Sequence, residues 1–428
     1  MMRRSLTHVG GPTETRGHAE VGAALKRALD VASSVESDAA EDAARAHVHG
    51  FHTYAARLHP MTAHHLVQAL SAPGDAVLDP FCGSGTVLVE ARLLGRRALG
   101  VDANPLAIRL ARFKSEPASA AFRASLIEAA ARVSEVAQAR RKERVGASRC
   151  YADNDVASFA PHVLLELDGL RVGLCAETDP RVRDALFLVL SSILVKMSRR
   201  TGDTSSGAKE VRLAAGYPTR VFGKKTEELV ERLAAISARL ALGPRAHIIE
   251  GDARDLEGIH PGSVDLVATS PPYPGVYDYA DQHALRMRWL GLSAGRFVQA
   301  EIGARRRALA TTPKLAIEAY AADMKLVLAA IATRLRPGGR AAIVAADGSI
   351  AGVGVWLDDM LADLGNEVGM VPLAVASQER PHFDGPTARA FRERPRREHI
   401  AVLERPDPAR VAQAPFHAAQ SAQPPRRR

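Results

Sequence analysis

Cysteine is nearly missing from this chain. Its 428 residues hold three, Cys82, Cys150 and Cys175, far apart and in no Cys-x-x-Cys pair. A disulfide framework and a zinc ribbon are thereby excluded, and a reducing, cytoplasmic setting is expected. Long apolar runs are missing too. The longest, Ala185 to Val195, contains two serines and falls short of the roughly 20 residues that a bilayer-crossing helix needs. The opening stretch, Met1 to Glu20, shows no apolar core of a secretory leader. Aromatic residues make up only 5%, yet hydrophobic residues reach 46% and charged ones 25%, proportions that exclude a collagen-like, mucin-like or wholly disordered protein. Lysine is scarce, nine against 48 arginines, and together these cations outnumber Asp plus Glu by 57 to 48, a formal charge of +9. A GC-rich genome would give the same arginine skew, but a guanidinium also forks onto phosphate as an ammonium cannot. The balance permits nucleic-acid binding without requiring it.

Both ends of the chain read as polar. Residues 1–45 suggest a flexible arm with one helix near Val21 to Val35, and 405–428, which close on Pro-Pro-Arg-Arg-Arg, a disordered basic tail. Between them, 46–114 alternate. A helix over Thr62–Leu70 precedes a strand at Ala76–Leu78 and a glycine-rich loop; a helix over Thr86–Leu94 precedes a strand from Arg97 to Val101 that ends in Asp102, and another helix starts near Pro105. Strand, glycine loop, helix and acid-tipped strand make a βαβ nucleotide half-site. The period is helical through 115–243, with helices over Phe122–Arg141, Val182–Met197 and Thr226–Leu240 and loops at Gly202–Gly207 and around Gly216-Tyr217-Pro218. Strands then return at Ala246–Glu250, Val264–Ala268, Ala341–Ala345, Val368–Leu373 and His399–Leu403; a helix over Tyr320–Leu335 stops at Arg336-Pro337-Gly338-Gly339. The expected architecture is a doubly wound α/β sheet, mainly parallel, split by a helical insertion at 115–243.

Four short motifs carry chemistry. Asp79-Pro80-Phe81-Cys82-Gly83-Ser84-Gly85-Thr86 ends a strand and opens a helix, where glycines admit a ligand to the backbone and free N–H groups welcome a carboxylate. Asp79 could accept from an ammonium of the same ligand. Asp102 tips the next strand, 17 residues beyond Gly85, with the reach to hold both ribose hydroxyls; it would serve equally as a helix cap before Pro105. Asp252, with Ala253, follows the strand Ala246–Glu250 and could accept from an adenine amino group, or simply cap a turn. Lastly, Ser270-Pro271-Pro272-Tyr273 follows the strand Val264–Ala268. Two prolines remove backbone donors and fix an extended turn, presenting the Ser270 hydroxyl and nearby carbonyls as acceptors beside an aromatic plane. That is a receptor for an exocyclic amine on a flat base. Any one of these motifs alone is more economically a turn or a cap.

Their order and spacing resemble the S-adenosylmethionine-dependent amino-methyltransferases of DNA, the cytosine-N4 and adenine-N6 enzymes. The resemblance covers roughly 46–113 and 244–404. It implies a Rossmann-like class I methyltransferase fold, a seven-stranded sheet with an antiparallel last strand, and S-adenosyl-L-methionine as cofactor. Residue by residue, Asp79, Phe81, Gly83, Gly85 and Thr86 would hold its methionine part, Asp102 its ribose, and Ser270, Pro271, Pro272 and Tyr273 would form the catalytic corner. The segment His52 to Pro60 is similar to the stretch that covers the cofactor in this family, although Ala55 stands where proline is usual. Serine in the first position of the corner is the usual choice of the cytosine-N4 members. A related branch methylates guanine in RNA but carries an N-terminal RNA-binding module, for which the residues before Ala46 leave little room.

The resemblance therefore implies methyl transfer to a base amine in DNA, cytosine N4 first, with adenine N6 or an RNA base as alternatives and a silent nucleic-acid-binding relative as the non-enzymatic one. The partner expected is nucleic acid, with no membrane; a cognate restriction nuclease stays open. No metal site is indicated, and no Pro-Cys dipeptide exists to act in carbon-5 methylation. After the corner, Tyr277, Tyr279, His283 and Arg286 could line the pocket, with Arg288 beyond them and Trp289 in the core. Arg305-Arg306-Arg307 and Lys314, and in the insertion Lys196, Arg199, Arg200, Lys224 and Lys225, offer phosphate contacts or simply solvated charge. The insertion is either a recognition element, a cap or a dimer face.

Overall fold

Strand β1 (Thr13–Gly17) and helix α1 (Ala19–Leu29) lead into α2 (Pro60–Leu70), β2 (Ala76–Asp79), α3 (Thr86–Leu93), β3 (Arg97–Asp102) and α4 (Pro105–Ser115) in the computed structural model. It describes residues 11–32, 45–54, 57–200, 212–380 and 389–409. The insertion comprises α5 (Ala120–Lys142), α6 (Asp153–Ser158), α7 (Pro161–Ala176), α8 (Pro180–Met197) and α9 (Tyr217–Leu240). Next come β4 (His247–Glu250), β5 (Val264–Thr269), α10 (Tyr279–Leu290), α11 (Gly295–Ala300), α12 (Arg305–Leu309) and α13 (Pro313–Arg334). The chain then forms β6 (Leu335–Ala346), the small hairpin β7 (Gly348–Ile350) and β8 (Val353–Val355), α14 (Leu357–Glu367), β9 (Val371–Glu379) and β10 (Arg397–Glu404).

The main sheet runs β1-β9-β10-β6-β5-β2-β3-β4. Pairing is parallel from β6 through β5, β2 and β3 to β4, while β10 lies antiparallel to both β6 and β9. The expected doubly wound architecture and the antiparallel last strand are both present. Strand order reverses between β2 and β5, so the loops that leave their carboxyl ends diverge and open a crevice there. Every residue of β2 is buried, as befits a strand covered on both faces. Helix starts follow the sequence closely: the Asn104 side chain accepts from Leu106 N with Pro105 in the first turn, and Asp179 does the same for Arg181 and Val182 ahead of α8.

Several boundaries differ from expectation. The stretch 1–45 is not a loose arm where it is described. β1 adds an eighth strand, antiparallel to β9, and α1 buries Val21, Leu25, Ala28 and Leu29. Four of the five β1 residues are exposed, so an edge strand with one sunken side chain looks like polar coil in sequence. The expected strand Val368–Leu373 lies at 371–379 instead, because Val368 caps the helix α14. Ser377 and Gln378 within it are buried but polar, which masks the strand pattern. β6 begins at Leu335, before the Pro-Gly-Gly stop, since Gly338 N donates to Arg405 O and Arg405 N to Gly339 O, extending the pairing. α9 starts at Tyr217, with Gly216 as its cap and Pro218 in the first turn, where a loop was expected. Arg405 to Ala409 are ordered against this edge; the rest of the tail and the Gly202–Gly207 loop lie outside the described residues.

The insertion is not a separate body. Leu126, Val133, Leu167, Leu186, Val189 and Phe222 share one core with Val48, Phe51, Leu106, Leu110 and Trp289 of the sheet's own layers. On the far side, Arg16 of β1 and Arg394 both hold Asp358, which lies beside His399 and Asp347 in a buried acid–imidazole group. Arg394 also pairs with Asp359, and Arg397 with Glu14. Leu25 is fully buried. Leu25→Ala should therefore lower the unfolding free energy by about 2–4 kcal/mol, read from urea denaturation; an unchanged midpoint would return this segment to a loose arm.

Candidate active site

The crevice at the β2/β5 reversal is a cleft of about 860 Å³, counted to its open mouth. Asp79 to Ser84 and Thr86 form one wall, Asp102 and Ala103 the next, Asp252 and Ala253 another, and Ser270 and Pro272 face them; Tyr54, Tyr279, Phe297 and Glu301 close it. Two loops 190 residues apart in sequence meet through one hydrogen bond, from Thr269 Oγ1 to Asp79 Oδ1 at 2.6 Å. Asp79 Oδ1 also accepts from Phe81 N at 3.1 Å, and Oδ2 makes no hydrogen bond among the described residues. Asp102 takes Gly83 N on Oδ2 and Asn104 N on Oδ1, both at 2.8 Å. Each of its oxygens keeps a lone pair for the cleft.

The glycine loop is shaped by close approach. Gly85 has φ 85° and a Cβ there would lie 2.9 Å from Ala111 Cα, while a Cβ on Gly83 would meet the Tyr54 ring at 3.3 Å. Beneath the loop, the fully buried Lys114 donates to Ser84 O and Oγ, both at 3.1 Å. Burial pushes the Lys114 ammonium well below the usual lysine range. At the corner, the Ser270 and Tyr273 hydroxyls are 3.3 Å apart. The Pro272 carbonyl already accepts from Tyr320 Oη at 3.0 Å, which leaves Ser270 as the side-chain acceptor at the cleft.

Other expected residues are placed differently. Tyr273 packs beside Ser270 against the β5/β6 core rather than on the cleft lining. Tyr277 stands edge-on behind Tyr279, ring centroids 5.4 Å apart. His283 and Arg286 do not line the cleft; both are fully buried. His283 stacks on Tyr54 at 4.7 Å, and Arg286 donates to Thr53 Oγ1 at 2.9 Å and Ser191 O at 3.3 Å. Both are interior because α10 packs between α8 and α4, so its polar residues face packed chain. Asp252 lines the cleft, but both its oxygens accept from Arg254, which also pairs with Asp323. Arg306 turns inward to Asp278 and Glu301. Sequence reading missed Lys114, Thr269 and the wall from Phe297 to Ile302. No motif marks that wall; Tyr54 alone had a signal, in the segment preceding the glycine loop.

The donor set fits an adenosyl amino acid. Thr86 Oγ1 is buried with no partner, beside helix N–H groups suited to a carboxylate. Two carboxylates face the same space with free lone pairs and no ion pair among the described residues; desolvation raises Asp79 to about 7 and Asp102 to about 6. A ligand that brings an ammonium, ribose hydroxyls and a carboxylate would satisfy all three.

Strand order β4-β3-β2-β5-β6-β10-β9, with β10 antiparallel and the cleft at the reversal, defines the class I S-adenosylmethionine-dependent methyltransferase fold. Residues 30–113 match the model of the DNA methylase family, the N6/N4 methyltransferases. Type II methyltransferase M.BsoBI of Geobacillus stearothermophilus is 24% identical over 248 residues, 51% of this chain and 48% of that protein. Type II methyltransferase M2.DpnII of Streptococcus pneumoniae is 45% identical over 51 residues, 12% and 19% of the two chains. This chain thus spans less than half the length of the curated relatives it matches. TrmN of Thermus thermophilus aligns over 81% of this chain and 48% of its own at 13% identity and a TM-score of 0.30, which adds nothing to the strand order. The family match over residues 30–113 and the two partial relatives agree with the resemblance that the motifs carry.

The raised carboxyls give a stability signature. A carboxyl whose folded value lies above its unfolded one contributes stability that is full below about pH 4 and lost as pH rises through the folded value, here about 6 for Asp102 and about 7 for Asp79. Asp79→Asn cannot lose what it no longer titrates. In ligand-free protein its urea midpoint should gain on the wild type between roughly pH 4 and pH 7 and run parallel to it above that; parallel pH curves throughout would show Asp79 to be ionised normally.

Proposed function

We propose that this chain transfers a methyl group from S-adenosylmethionine to an exocyclic amino group of a base in DNA, cytosine N4 before adenine N6. The observation that carries the reading is the meeting of the Ser-Pro-Pro-Tyr corner with the glycine loop in one cleft, joined by the Thr269–Asp79 hydrogen bond. A nucleic-acid-binding protein without catalysis has no need for an amine acceptor beside a cofactor cradle. Serine at 270 supports cytosine N4, by the resemblance in its first position; the demands of the two amines are otherwise alike.

The cofactor, when bound, supplies an electrophilic methyl on a sulfonium. Asp79 Oδ2 takes the ammonium, Thr86 and the amino end of α3 take the carboxylate, and Asp102 takes the ribose hydroxyls. An exocyclic amine is a weak nucleophile because its lone pair is conjugated into the ring. Ser270 Oγ accepts a hydrogen bond from one of its N–H groups and draws the nitrogen toward tetrahedral geometry, while the rigid double proline fixes where that acceptor stands; the methylated amine then gives its extra proton to solvent, and S-adenosylhomocysteine is the leaving group. Pro272 and Tyr279 bound the space available to a planar ring, and Phe297 and Ile302 help exclude water from it. A base in a duplex must leave the stack to arrive there, at a cost of a few kcal/mol.

Ser270→Ala should reduce the rate of methyl transfer by about 10²-fold with affinity for S-adenosylhomocysteine unchanged. Asp102→Ala should do the reverse, weakening calorimetric binding of S-adenosylhomocysteine about 10- to 100-fold. Labelled-methyl transfer to DNA and to total RNA, followed by nucleoside mass analysis, tests the substrate. N4-methylcytosine in DNA is the expected product, and label in RNA alone would overturn the reading.

A further inference from the structure

A second cleft, about 1280 Å³ to its open mouth, lies between α8 and α9 of the insertion. One face of α9 forms its floor, with Tyr217, Arg220, Lys224 and Glu228 following at helical spacing, while Lys196 and Arg200 stand on the α8 side. Five cations thus line it against a single carboxylate, Glu228, and Lys225 and Arg232 already neutralise that one at 2.8 and 2.7 Å. Lys196, Arg220 and Lys224 are exposed, and no ion pair holds them among the described residues. Lys196 and Arg220 instead flank the Tyr217 ring at 5.8 and 5.4 Å, which keeps their stems over the cleft. These three cations, gathered in a concave site with no ion pair among the described residues, are a cost to the folded protein unless an anion fills it.

The remaining observation is where this cleft ends. Thr53 lines it, and the next residue, Tyr54, lines the cofactor cleft. Two adjacent residues thus give one side chain to each space, and both are held in place: Arg286 donates to Thr53 Oγ1, His283 stacks on Tyr54, and Asn104 Nδ2 donates to Tyr54 Oη at 3.0 Å. An anion extending from the basic cleft toward the methyl-transfer corner is a polymer's backbone rather than a lone ion.

We propose that the α8–α9 cleft holds the phosphodiester backbone of the DNA next to the base being methylated, through Lys196, Arg220 and Lys224. This rests on the proposed DNA substrate and adds the site of sequence-independent attachment. Each phosphate neutralised contributes about 0.9 to the slope of log affinity against log salt. The test is fluorescence anisotropy of the full chain on a labelled DNA duplex, between about 50 and 200 mM salt. The triple variant Lys196→Ala, Arg220→Ala, Lys224→Ala should bind more weakly at low salt, and its slope should be shallower by about 2.7. Its affinity for S-adenosylhomocysteine should match the wild type and its thermal midpoint should be no lower, since all three side chains are exposed and their mutual repulsion is removed. A control carrying Lys26→Ala and Lys325→Ala, on α1 and α13 and outside the cleft, should keep the slope within about one unit. If wild type methylates DNA and the triple variant keeps its slope, or the control loses as much, this inference falls while the proposed activity stands. If wild type binds S-adenosylhomocysteine but neither binds nor methylates DNA, both fall.

Discussion

The parallel pairing of β2 with β5 is the constraint on which the site depends. Val77 and Leu78 oppose Leu266 and Val267, and this register sets the end of β5 beside the end of β2. Thr269 can then reach Asp79, and the proline corner that follows is aimed over the glycine loop. A slip of one residue would turn Thr269 to the other face of the sheet and part the two loops. Such a slip is strongly opposed because β2 is buried throughout and five of the six β5 residues are buried. The core, more than any contact within the cleft, fixes where the chemistry can occur.

That placement has an electrostatic cost in the ligand-free protein. Asp79 is buried and Asp102 half-buried in the cleft wall, with backbone and hydroxyl donors but no cation paired to either among the described residues, and desolvation lifts both above the usual carboxylate range. Natural cores seldom leave charge so poorly compensated, because each uncompensated ion disfavours folding. The same deficit favours a cationic ligand, since a carboxylate that water has left attracts an ammonium more strongly than one in solvent. Lys114 lies close by but is spent on Ser84. It braces the loop and leaves the Asp79 carboxylate uncompensated.

Much of this was legible in sequence because it is local. A glycine loop between a buried strand and a helix, an acid at the tip of the following strand, and a double proline after a third apolar strand are each read within about ten residues. What could not be read is what the fold alone assembles. Phe297 to Ile302 wall the cleft with no pattern of their own, and Asp252 is claimed by Arg254 two residues on and, beyond it, by Asp323. His283 and Arg286 looked like pocket residues because they are polar and follow the corner. They are buried because α10 packs against α8, an arrangement that needs the whole insertion to be in place. β1 was hidden for the opposite reason: an edge strand has so little to bury that its pattern is that of coil.

Those same two residues show why the insertion belongs to the site and is no appendage to it. Trp289, one turn past His283 and Arg286, sits in the core shared with Leu186, Val189 and Phe222, and Arg288 pairs with Asp155 of α6 at 2.5 Å. α10 therefore carries Tyr279 into the cofactor cleft on one side while its buried face locks the insertion on the other. The adjacent residues Thr53 and Tyr54 give one side chain to each cleft and are held by Arg286 and His283 of α10. Close-packed interiors transmit displacement rather than absorb it. The distance between α9's cationic face and Ser270 is accordingly set by packed helices and not by a hinge, and a substrate gripped at one would present its base to the other at a fixed reach.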